Sequence, residues 1–179
     1  QDACLHRRTG PGRVCLDGGW QSSGDGALAL DLAALPVEAF VSDLTGELSG
    51  GLRARVGSDG VLAADGRFEL GPGVVRLPEE IDGEPLAHGG GQQALAVGDD
   101  GLRVGGNLTA PAEGRMDLEF RLPELRALPP APGQPLEGRV RTTLPDLAIF
   151  AAFAEPIGVS AGRLRADLDL GGSLEEPLI

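Results

Sequence analysis

The chain of 179 residues has no lysine and no tyrosine, one tryptophan and five phenylalanines. With aromatics at 3%, little ring volume is left for the centre of a closed β-sandwich, which usually leans on large rings. All 15 basic residues are arginine, the usage expected of a GC-rich and hence bacterial genome. They face 27 acids, for a net charge of −12. That balance excludes a nucleic-acid partner, which needs a basic footprint. It also excludes broad electrostatic adhesion to an anionic membrane surface. No apolar run approaches the roughly eighteen residues of a membrane span, and no signal peptide is legible. The chain starts at Gln1 and stops within Gly-Gly-Ser-Leu-Glu-Glu-Pro-Leu-Ile, which reads as a segment of something longer.

Cysteine is scarce too. Cys4 and Cys15 flank Arg7-Arg8-Thr9-Gly10-Pro11-Gly12, a turn-rich stretch that sets the two thiols opposite each other across a hairpin. A disulfide there implies an oxidising compartment, the periplasm in a Gram-negative bacterium. With no Cys-x-x-Cys spacing and only His6 and His88 as histidines, zinc is not expected.

What the chain does have is alternation. Gly114-Arg115-Met116-Asp117-Leu118-Glu119-Phe120-Arg121-Leu122 switches between apolar and charged at nearly every step. Leu28, Leu30 and Leu32 repeat the rhythm, as do Leu62, Ala64, Phe68 and Leu70, then Leu102, Val104 and Leu108, then Leu164, Ala166, Leu168 and Leu170. A period of two means strands with one apolar and one wet face. The pattern predicts strands at about 14–20, 27–33, 46–56, 61–70, 73–77, 92–98, 101–109, 113–122, 135–143 and 157–170. Val37, Phe40, Val41 and Leu44 predict a two-turn helix opened by Pro36, and Leu147, Phe150, Ala151 and Ala154 a second. Residues 79–91 read as a polar, mobile loop, Gly98-Asp99-Asp100-Gly101 as a hairpin turn, and 124–128 as a helical turn. A phase change at Gly162 predicts a β-bulge.

The Leu-Pro dipeptides 35–36 and 144–145 each end a strand ahead of a short helical pattern, 109 residues apart. Residues 1–179 therefore read as one segment with repeat units at about 14–110 and 111–179, the second truncated. Units that cannot bury their apolar face alone stack into elongated arrays.

Signals for catalysis fail on context. Gly158-Val159-Ser160-Ala161-Gly162 matches a nucleophile elbow, but alternation follows it and no histidine lies downstream. Asp99-Asp100 falls short of a calcium site. His6 and His88 sit in loop-like sequence and read as solvated. No phosphate-binding glycine loop is present. The expectation is a non-enzyme without metal or cofactor.

Burying one large aliphatic side chain is worth about 1.5–3 kcal/mol, so some twenty on one face cannot be left to water. A face-to-face sandwich, a closed barrel, or a bent trough holding an apolar ligand would each cover them. The aliphatic lining and the repeat tilt the reading toward an elongated, curved antiparallel trough. Its lining would be Leu28, Leu30, Leu32, Leu52, Leu62, Phe68, Leu70, Leu102, Val104, Leu108, Met116, Leu118, Phe120, Leu122, Val140, Leu164, Leu168 and Leu170.

Cys15-Leu16-Asp17-Gly18-Gly19-Trp20, Leu30-Asp31-Leu32-Ala33-Ala34-Leu35-Pro36-Val37, Gly46-Glu47-Leu48-Ser49-Gly50-Gly51-Leu52 and Ala64-Asp65-Gly66-Arg67-Phe68-Glu69-Leu70 are similar to segments of the TamB family. These are inner-membrane-anchored, periplasm-spanning subunits of the translocation and assembly module, within the AsmA-like group. The resemblance implies an all-β, U-shaped trough (β-taco) with a hydrophobic interior and short helical caps. It also implies transport of phospholipid between inner and outer membrane. An alternative role is assembly of outer-membrane β-barrels or autotransporters, by strand binding at a sheet edge, with an Omp85-type, TamA-like partner. The family supplies no catalytic residues.

Overall fold

The computed structural model describes residues 2–7, 10–57, 62–76, 85–110, 113–125, 130–145 and 162–178. Its strands are β1 (Asp2–His6), β2 (Arg13–Trp20), β3 (Gly26–Pro36), β4 (Glu47–Val56), β5 (Leu62–Leu70), β6 (Gly73–Val75) and β7 (Leu86–His88). There follow β8 (Gly91–Gly98), β9 (Gly101–Ala110), β10 (Gly114–Leu122), β11 (Glu137–Leu144), β12 (Leu164–Gly172) and β13 (Pro177–Leu178). Eleven of them form one antiparallel sheet in the order β1-β2-β3-β4-β5-β8-β9-β10-β11-β12-β13, and β6 pairs with β7 alone. Spatial neighbours are thus chain neighbours, with one small hairpin inserted between β5 and β8.

The two ends of the sheet do not pair, so the fold is all-β and open, as a trough requires and a closed barrel forbids. Among the described residues the one other sheet is the small β6–β7 pair. The only apolar side chains there that are buried are Val37, Leu122 and Leu144, and no large side chain is fully enclosed. All three stand beside a Leu-Pro dipeptide at a strand end.

Cys4 and Cys15 are direct register partners on β1 and β2 and are joined by a disulfide, with Cα atoms 4.1 Å apart. The two-residue connection Asp99-Asp100 closes β8 onto β9, with Gly101 at φ 97. Both features follow the sequence expectation.

Three local expectations give way. The helix over 37–44 is a single 3-10 turn, Val37–Ala39. The Val37 carbonyl accepts from Phe40 N and Val41 N, but Leu44 then bridges Val75 and Thr45 N donates to the Val74 carbonyl. Strand pairing claims the residues a second helical turn needed, and Phe40 is left 70% exposed. The loop over 79–91 contains a strand, since Leu86–His88 pairs with Gly73–Val75 and Gly90 bridges Thr109. Glu124, the residue expected to open a helical turn over 124–128, has φ 52 and is left-handed, while residues 126–128 lie outside the described ones. The second helix at 147–154 and the bulge partners Val159 and Ala161 lie outside the described residues.

A bulge occurs elsewhere, in β3. The register moves from Leu32↔Gly50 to Leu35↔Leu48, three residues against two. Ala34 takes φ 49, and its freed N–H donates to Ser49 Oγ at 2.9 Å. The extra residue returns Leu35 to the face carrying Leu28, Leu30 and Leu32.

Candidate functional site

Side chains directly opposite each other in an antiparallel sheet project to the same side, so register alone assigns the faces. Leu16, Leu30, Leu52, Gly66, Leu95, Val104, Phe120, Gly138 and Leu170 are successive partners from β2 to β12. This row crosses nine strands, about 38 Å at the usual ~4.8 Å spacing. A parallel row runs Leu28, Ala54, Ala64, Val97, Leu102, Leu122. Another runs Leu32, Gly50, Phe68, Gln93, Gly106, Leu118, Val140, Leu168.

All eighteen expected lining residues fall on this one face. Leu70 enters through Leu48, Leu108 through Met116, and Leu164 through Leu144. Leu62 is the partner of Val56 on β4, its side chain lying outside those described. The face also holds Leu16, which the alternation placed on one face of the first strand with Val14, Gly18 and Trp20, and Leu35, Leu48, Leu95, Val97 and Leu144, none of them in the expected lining. Leu95 and Val97 alternate cleanly with Ala94 and Ala96, but alanine on the wet side blunts the contrast that marks a strand. The lining is half-buried by its own neighbours, and Leu28 and Leu168 are 42% and 44% exposed. Gln93 is the polar break, tied down by Nε2 donating to the Asn107 carbonyl at 3.3 Å.

The opposite face is charged and self-paired. Arg139 grips Asp167 with Nε and Nη2 at 2.6 and 2.7 Å, reaching across from β11 to β12. Along β10, Arg115 chelates Asp117 and Arg121 holds Glu119. Hydrogen bonds from these arginines, then their charge, hold the Asp117, Glu119 and Asp167 carboxyls below their ordinary range. An open concavity of about 820 Å3 also lies on this side. Small residues such as Ala29, Gly51, Ala94, Ala96 and Gly105 floor it, and Asp31, Arg53, Asp65, Arg67, Arg103 and Glu119 rim it.

His88 overturns its reading as a solvated loop residue. It is 6% exposed, the one buried polar side chain among those described. The Gly90 N–H donates to Nδ1 at 3.2 Å, which fixes the tautomer so that Nε2 donates to the Thr45 carbonyl at 2.9 Å. Gly46, Gly73 and Gly90 surround it, and a Cβ at Gly73 would stand 2.8 Å from Nε2. The ring is a tie between the β6–β7 hairpin and the end of the main sheet.

Among the described residues no three His, Cys, Asp or Glu side chains gather as metal ligands. No described helix is long and apolar enough to cross a membrane. Ser160 lies outside the described residues. The described residues therefore present two chemically distinct faces of one sheet, one apolar and one charged. Compared with family models, curated proteins and solved structures, the chain has no match.

Proposed function

We propose that this chain is a periplasmic segment of a TamB-like protein and that its leucine face is a track for phospholipid acyl chains. The observation that supports it is the apolar row from Leu16 to Leu170, which no second layer covers among the described residues. The disulfide fits the oxidising periplasm, and the resemblance of the leucine-glycine segments to the TamB family supplies the direction of the reading.

Magnitudes agree with transit. A buried CH2 is worth about 0.8 kcal/mol, and a chain lying on an open face loses roughly half its water. Ten methylenes then contribute about 4 kcal/mol, a millimolar contact. A lipid is held strongly enough to stay off the water and weakly enough to move along the row. Head groups remain at the open side. The carrier is not an enzyme in this reading, and an Omp85-type partner would meet the parent protein at the outer membrane.

The test places a photo-crosslinker at Leu118 or Leu168 in the full-length parent and identifies what is captured by mass spectrometry. Phospholipid adducts are expected at both. Capture of protein alone from both positions would sink transport through this segment.

A further inference from the structure

We propose that the hollow on the charged face is a binding site for a phosphate ester, its phosphoryl group held between Arg53 and Arg67. The hollow is walled by strands of the main sheet from β2 to β10. Each of these strands is paired on both sides, so the hollow owes nothing to either end of the sheet. Its volume of about 820 Å3 is that of a small-molecule pocket.

Charge pairing on this face is uneven. From β9 to β11 every arginine has a carboxylate: Arg103 holds Asp100, Arg115 holds Asp117, Arg121 holds Glu119, and Arg139 and Arg141 share Asp167. On β4 and β5 the pairing stops. No described carboxylate comes within ion-pair distance of Arg53 or Arg67, although Asp65 is the direct partner of Arg53. The other acids of the hollow are committed, Asp31 toward Arg13 at 3.6 Å and Glu119 to Arg121, and Asp17 is not free. Two guanidinium groups thus face one uncommitted carboxylate, in a chain whose net charge is −12. Arg67 stands opposite Gly51, two residues before Arg53, so the arginines are diagonal neighbours within reach of each other. Gly51 and Ala94 flank Arg67, and Ala29 lies beyond Arg53. Such short partners leave room beside both forks, the geometry that takes a phosphoryl group by paired charge-assisted hydrogen bonds.

The body of the ligand follows from an adjoining hollow, which shares Arg67, Ala94 and Gly105 and runs on to Gln92 and Asn107. Asn107 Oδ1 accepts from the Gln92 N–H at 3.4 Å, which leaves Asn107 Nδ2 and the Gln92 side-chain amide for a ligand. Uncharged amides suit hydroxyl groups. The class is therefore a phosphate ester of a small polyol, either free or as the head group of a lipid. The site lies across the sheet from the leucine rows, and it holds or fails independently of what they carry.

Titration of the purified, disulfide-intact chain with glycerol phosphate at constant ionic strength, followed by NMR, tests it. Saturable shifts are expected at the Gly51, Ala94 and Gly105 amides and at Nε–H of Arg53 and Arg67, with a dissociation constant of about millimolar. Glycerol alone should give none. Arg67→Gln should weaken binding at least about tenfold, since one fork of charge-assisted bonds is lost. Asp65→Asn, which removes the one uncommitted carboxylate, should tighten it about threefold. Arg141→Gln, on the same face but outside the hollow, should change nothing. The shifts of the unsubstituted chain localise the site by themselves, so a variant that fails to fold leaves the test standing. Phosphatidylcholine vesicles with and without phosphatidylglycerol form the second arm. Pelleting that needs phosphatidylglycerol and is lost in Arg67→Gln assigns the site to a lipid head group, whereas shifts with the free ester and no pelleting assign it to a soluble one. Response to neither probe, or equal losses in Arg67→Gln and Arg141→Gln, overturns the proposal.

Discussion

Phe120 lies against Gly138, its register partner across β10 and β11, so closely that a Cβ at 138 would stand 2.8 Å from the ring's Cδ1. Trp20 covers Gly26 across β2 and β3 in the same way. A glycine on the leucine face gives up its own side chain so that the partner's ring can lie down over the sheet. In a face without a second layer, rings folded flat are what shields the backbone beneath them. Gly138→Ala should therefore lift the Phe120 ring and cost about 1–2 kcal/mol, in the range of mild overpacking. Gly171→Ala, where a Cβ meets nothing within 4 Å, should be neutral or stabilising by up to about 1 kcal/mol. Urea unfolding of both variants checks the contrast, and equal losses would remove the ring's role.

His88→Leu keeps the volume of the side chain and leaves the Thr45 carbonyl and the Gly90 N–H without their partners. Burying those two groups unpaired should cost about 1–3 kcal/mol. His88→Gln, which can both donate and accept, should recover part of it. Hydrogen exchange should report the loss first at Thr45, Val74 and Gly90. Full protection there in His88→Leu would mean that the ring only fills space.

The disulfide closes a short loop, its cysteines 11 apart in sequence, for which chain entropy allows about 3 kcal/mol. Since β1 pairs with β2 alone at the end of the sheet, reduction should release β1 locally. Exchange protection is expected to fall at Leu5 and Val14 and to persist at Leu95 and Val104. A uniform loss across β8 and β9 would show that the staple holds the whole sheet.

The leucine face was legible because its period of two is unbroken over whole strands: from Arg115 to Leu122 each residue's face follows from its parity. The hairpin at Asp99-Asp100 and the Cys4–Cys15 bridge were legible because glycine and spacing are local signals. The β3 bulge was hidden, although Ala33-Ala34-Leu35 breaks the alternation, because two alanines carry no face preference. The helix over 37–44 failed for the opposite reason. Its apolar spacing was real, but Val75, 31 residues on, claimed Leu44. His88 was illegible in principle: its burial depends on Thr45, and a histidine amid glycines reads as loop until that contact is known. That the eighteen residues share one face of the sheet was legible from their parity alone.

The ion pairs of the charged face set an acid limit. Asp117, Glu119 and Asp167 have folded-state pKa values lowered by hydrogen bonds from Arg115, Arg121 and Arg139. A lowered folded value contributes stability that is complete above the unfolded value, about 4, and is lost as pH falls through the folded one. The urea midpoint should stay level from neutral pH to about 5 and decline below it. Arg139→Gln should flatten that decline, and so should molar salt, because these pairs face water. A midpoint that rises on acidification would contradict the assignment.

Leu95 and Ala94 are neighbours in β8 that project to opposite faces, Leu95 into the central apolar row and Ala94 into the charged hollow. They allow one charge to be placed on either side of the same strand. Leu95→Asp sets a carboxylate in the middle of the row, where a passing acyl chain would have to strip its water, at a cost of several kcal/mol. Each 1.4 kcal/mol is a factor of ten, so phospholipid capture from a crosslinker at Leu118 in the full-length parent should drop at least about tenfold. Ala94→Asp adds the same charge to a face already bearing Arg67 and Arg103 and should leave capture unchanged. Leu95→Ala, which shortens the row's side chain without charging it, should fall between them. If Ala94→Asp and Leu95→Asp reduce capture alike, the effect is one of fold or net charge, and the leucine row is a core surface and not a track.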